Sequence, residues 1–225
     1  MTGLMVIFMF IAIAYMQETQ KKQVERDQLF EEFKITKQEL YEELERTFKN
    51  DFIKWKVELD KDLSIKFTNP EVLFASGKTE IRPYFQQILD SFLPRYFNIL
   101  MQGKYRDKIY EIRLEGHTDT VPAPTYDPDP YIGNMLLSQL RSVEVLKYFR
   151  EMNFYRILNP ADKRQLEFWL TANGLSYGRT LDKNKELTLV SGLVPDKAYS
   201  RRVEFRIVTT SDKLVEKVLH NISTR

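Results

Sequence analysis

Residues 114–142 read LEGHTDTVPAPTYDPDPYIGNMLLSQLRS and connect two different hydrophobic patterns. At the start of this stretch, the alternation of apolar and polar residues over 108–115 is typical of a strand with one buried face. At the end of the stretch, apolar residues recur at helical spacing over 134–150. The Gly-His-Thr-Asp run at 116–119 therefore places polar side chains where a strand ends and the chain turns towards a helix.

The segments around this stretch continue the alternation of strands and helices. The pattern predicts strands at 63–68, 108–115, 166–171 and 202–208, and helices at 81–100 and 134–150. This succession predicts an α+β domain over 63–210, with a β-α-β-α-β mixed sheet and helices packed on it. A tail at 211–225 follows, with a short helix predicted from Ser211 to His220 and Ser211 as its N-cap.

The composition excludes several classes of protein. The chain has 225 residues, of which 29% are charged and 43% hydrophobic, which fits a folded domain. A net charge of +2 gives no indication of a nucleic-acid partner. The absence of cysteine excludes disulfides, thiol catalysis and thiolate metal sites. The two histidines, His117 and His220, are far apart in sequence, so we predict no metal and no cofactor.

Residues 1–17 carry no charge and are strongly apolar. A membrane-spanning helix needs about 20 apolar residues, so this segment is slightly short. A cleaved signal peptide would need a basic start, and a buried core helix would need protein around its whole surface. We therefore predict a transmembrane helix at 1–17 whose first turns lie outside the sequence.

Residues 18–62 form a charged connector with helical character and no glycine or proline. From Leu40 onward its apolar residues follow one helical stripe, which continues through Leu44, Phe48, Phe52, Trp55 and Leu59. Two interpretations remain open: an amphipathic helix packed on its own domain, or a stalk that pairs with a second copy.

The spacing of Asp119 and Arg141 also allows two interpretations. They could form a plain salt bridge that fixes the strand to the helix. Alternatively, they could hold a ligand that carries an ammonium and a carboxylate on one carbon, because an arginine fork binds a carboxylate bidentately.

Four motifs, at 72–81, 116–119, 134–141 and 201–205, resemble those of the OmpA-like family and follow the family's order along the chain. The run at 116–119 followed by Asn-x-x-Leu-Ser-x-x-Arg at 134–141 resembles the family signature. Residues 72–81 resemble its Phe-x-x-x-Ser-x-x-Leu motif, and 201–205 resemble its Asn-Arg-Arg-Val-Glu-Ile strand, with Ser200 in place of the asparagine.

This resemblance implies a peptidoglycan-binding domain that recognises the diamino acid of the stem peptide. It assigns the ligand's ammonium to Asp119 and its carboxylate to Arg141. The residues expected to shape the pocket are Asn134, Thr118, Leu137 and Ser138. His117 is expected to position a loop, while Arg201 and Arg202 either face the ligand or, as we favour, flank a strand.

Two segments depart from the family pattern. Residues 121–130, with four prolines, lengthen the connection between Asp119 and Asn134 into a stiff loop. We expect this loop to flank the pocket and to change which wall fragment fits. The loop at 174–199 is also long.

Residues 1–8 resemble the inner-membrane helix of MotB-type stator subunits. The resemblance places an ion-carrying aspartate just before Met1, so no residue of this sequence can take that role. It implies a homodimer in the bacterial inner membrane, with a periplasmic C-terminal domain and a MotA-, TolQ- or ZorA-like partner. The plan resembles the B subunit of Zorya phage-defence systems more than flagellar MotB.

A passive wall anchor without a motor partner is the alternative function. A hydrolase is disfavoured because the sequence presents no nucleophile–base pair and no metal cluster. We therefore expect no enzymatic activity.

Overall fold

The computed structural model of the protein describes the backbone of residues 2–68 and 70–212. It describes their side chains except at positions 2–6, 25, 26, 29, 32, 33, 70 and 71. The elements, in chain order, are α1 (Thr2–Trp55), β1 (Val57–Leu59), β2 (Ser64–Phe67), α2 (Pro70–Leu73), α3 (Pro83–Leu100), α4 (Gly103–Arg106), β3 (Ile109–His117), α5 (Pro130–Glu151), α6 (Asn153–Ile157), α7 (Pro160–Trp169), β4 (Leu170–Gly174), α8 (Thr188–Ser191), α9 (Lys197–Ser200) and β5 (Arg202–Thr209).

The strands form one mixed sheet in the order β1-β2-β5-β3-β4. Strands β3 and β4 run parallel, whereas β5 is antiparallel to both of its neighbours, β2 and β3. Because side chains alternate along a strand, Leu114 and its cross-strand partner Phe205 face the core. The pair Glu115 and Glu204 faces the opposite side. The predicted α+β mixed sheet is confirmed.

Helix α3 lies between the sheet and α1. The ring of Phe92 in α3 contacts Phe67 and Phe205 of the sheet at centroid distances of 5.3 and 5.4 Å. On its other side it contacts Phe48 of α1 at 5.2 Å. The stripe of α1 that is buried in this core comprises Leu40, Leu44, Phe48, Phe52 and Trp55. The second half of the predicted connector therefore packs on its own domain.

Three predicted boundaries were wrong. Helix α1 ends at Trp55, and the connector segment Val57–Leu59 instead forms the edge strand β1. Helix α5 begins at Pro130 because Asp129 caps it and proline suits the first helical position. The strand predicted from Leu166 begins only at Leu170, since Asn159 caps α7 and that helix continues to Trp169.

The two ends of the chain lie partly outside the described residues. Among the residues that the structure describes, no helix is long and apolar enough to cross a membrane. The side chains of residues 1–6, which belong to the predicted membrane segment, lie outside that set. The part of the predicted tail helix that follows Asp212 also lies outside the described residues.

Candidate functional site

Two glycines allow α5 to lie directly against the ends of β3 and β4. A Cβ atom on Gly116 would lie 2.2 Å from the carbonyl oxygen of Ser138, and one on Gly174 would lie 2.5 Å from the backbone nitrogen of Gln139. Gln139 also fastens β4, because its side chain donates to Ala172 O and accepts from Gly174 N. This close approach brings the first turns of α5 beside the residues that follow β3.

A pocket of about 130 Å³ opens at this junction. It is bordered by the segment after β3, by one face of α5, by the turn after α2 and by the residue before β5. The lining residues are Ser76, Gly77, Thr118, Asp119, Val121, Pro122, Ala123, Asn134, Leu137, Arg141 and Arg201.

Asp119 supplies the negative charge of the pocket. Its side chain is buried, and its Oδ1 accepts a hydrogen bond of 2.9 Å from the backbone nitrogen of Val121. Its Oδ2 lies 3.4 Å from Nε of Arg201. One carboxylate oxygen is thus fixed by the backbone, and the other faces a partly exposed cation.

Arg141 supplies a buried positive charge from α5. Its Nε donates to Lys78 O at 2.9 Å and its Nη2 to Ala75 O at 3.2 Å, while its guanidinium carbon lies 5.0 Å from the ring centre of Phe74. Burial lowers the pKa of Arg141 to about 10, so the group stays charged at neutral pH. Neither hydrogen bond uses Nη1, and no hydrogen bond from that nitrogen is found among the described residues.

Asp119 and Arg141 do not form an ion pair with each other in the described structure. Arg141 is held by carbonyl groups, and the charged partner of Asp119 is Arg201. The interpretation of the two residues as a plain salt bridge between strand and helix is therefore wrong.

The uncharged residues predicted for the site divide into two groups. Asn134, Thr118 and Leu137 line the pocket, and Asn134 donates to Val121 O and Pro130 O at 2.9 and 3.0 Å. The hydroxyl of Thr118 is buried and lacks a hydrogen-bond partner within the described residues.

Ser138, in contrast, is fully buried and acts as a support for the loop after β4 instead of lining the pocket. Its hydroxyl accepts from the backbone nitrogen of Ser176 at 3.1 Å and donates to Met135 O at 2.9 Å.

His117 is the last residue of β3 and belongs to a buried polar cluster, and its expected role in positioning a loop stays a prediction. Its Nε2 lies 3.6 Å from carboxylate oxygens of Glu115 and Glu204, and neither ring nitrogen has a hydrogen-bond partner among the described residues. Burial lowers the pKa of His117 to about 3, so its ring is neutral at physiological pH.

The same cluster contains residue types that bind metal ions. Glu115, His117 and Glu204 bring one ligand atom each within 4.8 Å of one another. However, Arg202 donates to Glu204 at 2.5 Å, and Arg179 lies 3.8 Å from Glu115. Two guanidinium groups thus balance the charge of two carboxylates without a metal ion, and we assign the cluster a structural role.

The two consecutive arginines before β5 have different positions. Arg202 is buried against Glu204, as the strand-flanking interpretation predicts. Arg201, the residue before β5, also lines the pocket and contacts Asp119, the position that the ligand-facing interpretation requires.

Two walls of the pocket were not identified as site residues from the sequence. Ser76 and Gly77 form one wall, and they lie within the motif at 72–81 that pointed to the family. Residues 121–123 form another; the proline-rich loop at 121–130 was expected to flank the pocket, although none of its residues was named as a site residue.

Comparison with known proteins places this geometry in context. No family model matches the chain. The chain is 35% identical to the Zorya protein ZorB of Escherichia coli (strain Crooks), over 97% of this chain and 88% of that protein. A solved structure of a protein described as MotB-like, from Desulfovibrio vulgaris, covers 80% of this chain and 99% of its own, with a TM-score of 0.53 and 25% identity.

A more distant likeness is the periplasmic domain of Helicobacter pylori MotB, with a TM-score of 0.45 and 16% identity over 71% of this chain and 80% of that one. The sequence motifs resemble those of MotB-like and ZorB-like proteins. This resemblance is confirmed by the 35% identity to ZorB over 97% of the chain and by the MotB-like fold. The chain belongs to the ZorB family of Zorya proteins.

Proposed function

We propose that the pocket binds the diamino acid of the peptidoglycan stem peptide and so anchors the protein to the cell wall. The observation that carries this proposal is that Asp119 and Arg141 border one small pocket without being paired to each other. A carboxylate and a guanidinium held apart complement the ammonium and carboxylate that such a diamino acid carries on one carbon.

The three charged lining residues divide the charges of the ligand between them. Asp119 receives the ligand's ammonium, and Arg141 binds its carboxylate through Nη1, the nitrogen that its hydrogen bonds to carbonyl groups leave free. Arg201 also contacts the ligand's carboxylate, because the pocket has two guanidinium groups, those of Arg141 and Arg201, for this one carboxylate of the ligand.

We propose binding without turnover. In the part of the chain that the structure describes, no lining residue of the pocket is a nucleophile with an adjacent base. His117 is neutral and buried beside two carboxylates, so it cannot take a proton near neutral pH. Incubation of purified protein with peptidoglycan should release no fragments.

Titration calorimetry with the full chain and a synthetic stem peptide that contains diaminopimelate tests the proposal. Asp119→Asn should weaken binding by roughly 30-fold or more, because removing one member of a buried charge pair typically costs about 2–5 kcal/mol. The exposed Asp90→Asn serves as a control and should bind as the wild type does. Equal affinity of Asp119→Asn and the wild type would show that Asp119 does not hold the ammonium.

We further propose that the protein is the B subunit of a MotAB-like ion-driven stator of the Zorya anti-phage type. In this proposal residues 1–17 insert in the bacterial inner membrane, the domain lies in the periplasm, and two copies form a homodimer with a ZorA-like partner. Membership of the ZorB family supports this role. A passive wall anchor and a flagellar MotB remain the alternative functions.

Co-purification distinguishes a stator subunit from a passive wall anchor. The full chain, extracted in detergent from its native host, should retain an inner-membrane subunit of the MotA, TolQ or ZorA type. Recovery of the chain alone, under conditions that preserve a known stator complex, would favour the passive anchor.

A further inference from the structure

A second cleft, of about 610 Å³, opens beside the pocket of the candidate site. The end of α1 and the start of β1 form one of its walls, and the segment 185–199 between β4 and β5 forms the other. Arg201 lines both cavities, so no more than one side chain separates them. The charged and aromatic residues of the second cleft, besides Arg201, are Lys56, Glu58, Lys185, Asp196 and Tyr199.

Two lysines of the second cleft hold an uncommon backbone conformation. Lys56 has a φ of 57° and Lys185 a φ of 66°, in the left-handed region that favours glycine. Within the part of the chain that the structure describes, four residues other than glycine have a positive φ, and both lysines are among them. Residues held in such conformations cluster at ligand-binding and catalytic sites. The two lysines are therefore the groups of the second cleft for which a ligand has to be sought.

The positive charges of the second cleft are only partly balanced. Lys185 donates to Glu58. Arg201 contacts Asp119 in the neighbouring pocket. No ion pair of Lys56 is found among the described residues, and its side chain is exposed. An anion that enters the second cleft thus meets one lysine without a charged partner.

The other carboxylate of the second cleft is engaged by the backbone. Asp196 caps the short helix α9, because its Oδ1 accepts from the backbone nitrogens of Ala198 and Tyr199 at 2.8 and 3.0 Å. Lys185 lies 5.2 Å from the ring centre of Tyr199 on the same wall. The acidic groups of the second cleft therefore have partners of their own, and Lys56 is left for a ligand.

We propose that the second cleft binds a second residue of the same stem peptide, with Lys56 and Lys185 holding the free carboxylate next to the diamino acid. That residue is a glutamate linked through its side chain, so its α-carboxylate stays negative. An extended residue spans about 3.6 Å, and the side-chain linkage lengthens it further, which carries the carboxylate past Arg201. The inference rests on the proposed function and extends it from one residue of the ligand to two.

Two probes that differ only in this charge test the second cleft. The first is the tripeptide L-alanyl-γ-D-glutamyl-diaminopimelate, and the second carries an amide in place of the glutamate α-carboxylate. In titration calorimetry at low salt, the wild-type full chain should bind the first probe roughly fivefold more tightly, the upper end for an exposed ion pair. The preference should decrease as salt is added, because exposed charges are screened.

Neutral variants of the two lysines should remove this preference. The double variant Lys56→Gln with Lys185→Gln should bind the two probes alike to within about twofold. Lys183→Gln is the matched control, because it removes the same charge from an exposed position of the same loop that does not line the second cleft. This control should keep the wild-type preference.

The variant Lys56→Gly separates ligand binding from the shape of the turn. Glycine adopts the left-handed φ without strain, so the melting temperature should equal that of the wild type or exceed it. The preference for the carboxylate probe should nevertheless fall to about twofold. A lower melting temperature with an unchanged preference would show that Lys56 shapes the turn and binds no ligand.

Two results would overturn the second cleft as a binding site while leaving the proposed function intact. One is equal affinity of the wild type for both probes, and the other is an unchanged preference in the double variant. If the wild type binds neither probe, the proposed function is wrong and the second cleft has no role in it. Circular dichroism of each variant verifies that the fold is retained.

Discussion

At the scale of single residues, His117 shows how strongly the fold sets the chemistry of a side chain. Both of its ring nitrogens are buried without hydrogen-bond partners in the described structure, and burial lowers its pKa from 6.5 to about 3. The unfolded chain binds a proton more readily than the folded chain between these two values. Acidification from about pH 6.5 towards about pH 3 therefore destabilises the fold through His117, whereas above pH 6.5 this contribution is absent.

Replacing His117 should remove this part of the pH dependence. The wild type should lose on the order of 2 kcal/mol more unfolding free energy than His117→Gln between pH 7 and pH 5. Urea unfolding of the full chain at both pH values measures the difference. If both proteins lose the same amount, His117 is not the group that titrates.

The residues of the site were predictable from sequence only where a motif carries them. Asp119 and Arg141 follow from the runs at 116–119 and 134–141, and both border the pocket. Arg201 also lies in a motif, at 201–205, but its approach to Asp119 depends on the pairing of β5 with β3. No local pattern distinguishes its position from that of the buried Arg202.

At the scale of elements, the packing of α5 on the sheet depends on two glycines. Gly116 and Gly174 are register partners in the parallel pair β3 and β4, and each would clash with the α5 backbone if it carried a Cβ. Because the obstruction is backbone and not a flexible side chain, α5 would have to shift. Such a shift would also move Arg141 relative to Asp119.

Gly116→Ala should therefore destabilise the protein by about 1–3 kcal/mol or more, as overpacking of a core does. Gly103→Ala is the control, since a Cβ there would meet no atom within 4 Å. Its effect should stay near zero or be slightly stabilising. Thermal unfolding of the full-length variants gives the comparison, and a wild-type melting temperature for Gly116→Ala would rule out the close approach.

Two of the element boundaries that the sequence prediction missed have different physical causes. Val57–Leu59 continues the apolar spacing of α1, yet it pairs with β2 because the chain turns at Lys56, whose φ is 57°. Tertiary pairing overrides local propensity at such a short edge strand. In α7, a cap and a proline at the helix start extend the helix into a stretch that also suits a strand.

At the scale of the whole molecule, α1 links the apolar start of the chain to the domain that carries the pocket. Glu43 fastens α1 to the segment around α4, because its carboxylate accepts hydrogen bonds from Gln102, Lys104 and Tyr105. Burial alone would raise the pKa of Glu43, but these hydrogen bonds lower it to about 2, so the contact persists across the physiological pH range. Force on the domain would thus be passed directly to α1.

The most direct test of the central claim is co-sedimentation of the full chain with purified cell-wall sacculi. The wild type should sediment with the sacculi, whereas Asp119→Ala and Arg141→Ala should stay in the supernatant. The exposed Asp90→Ala and Arg150→Ala, which change the same residue types outside the pocket, should sediment as the wild type does. Sedimentation of both pocket variants to the wild-type extent would contradict the assignment of this pocket as the wall-binding site.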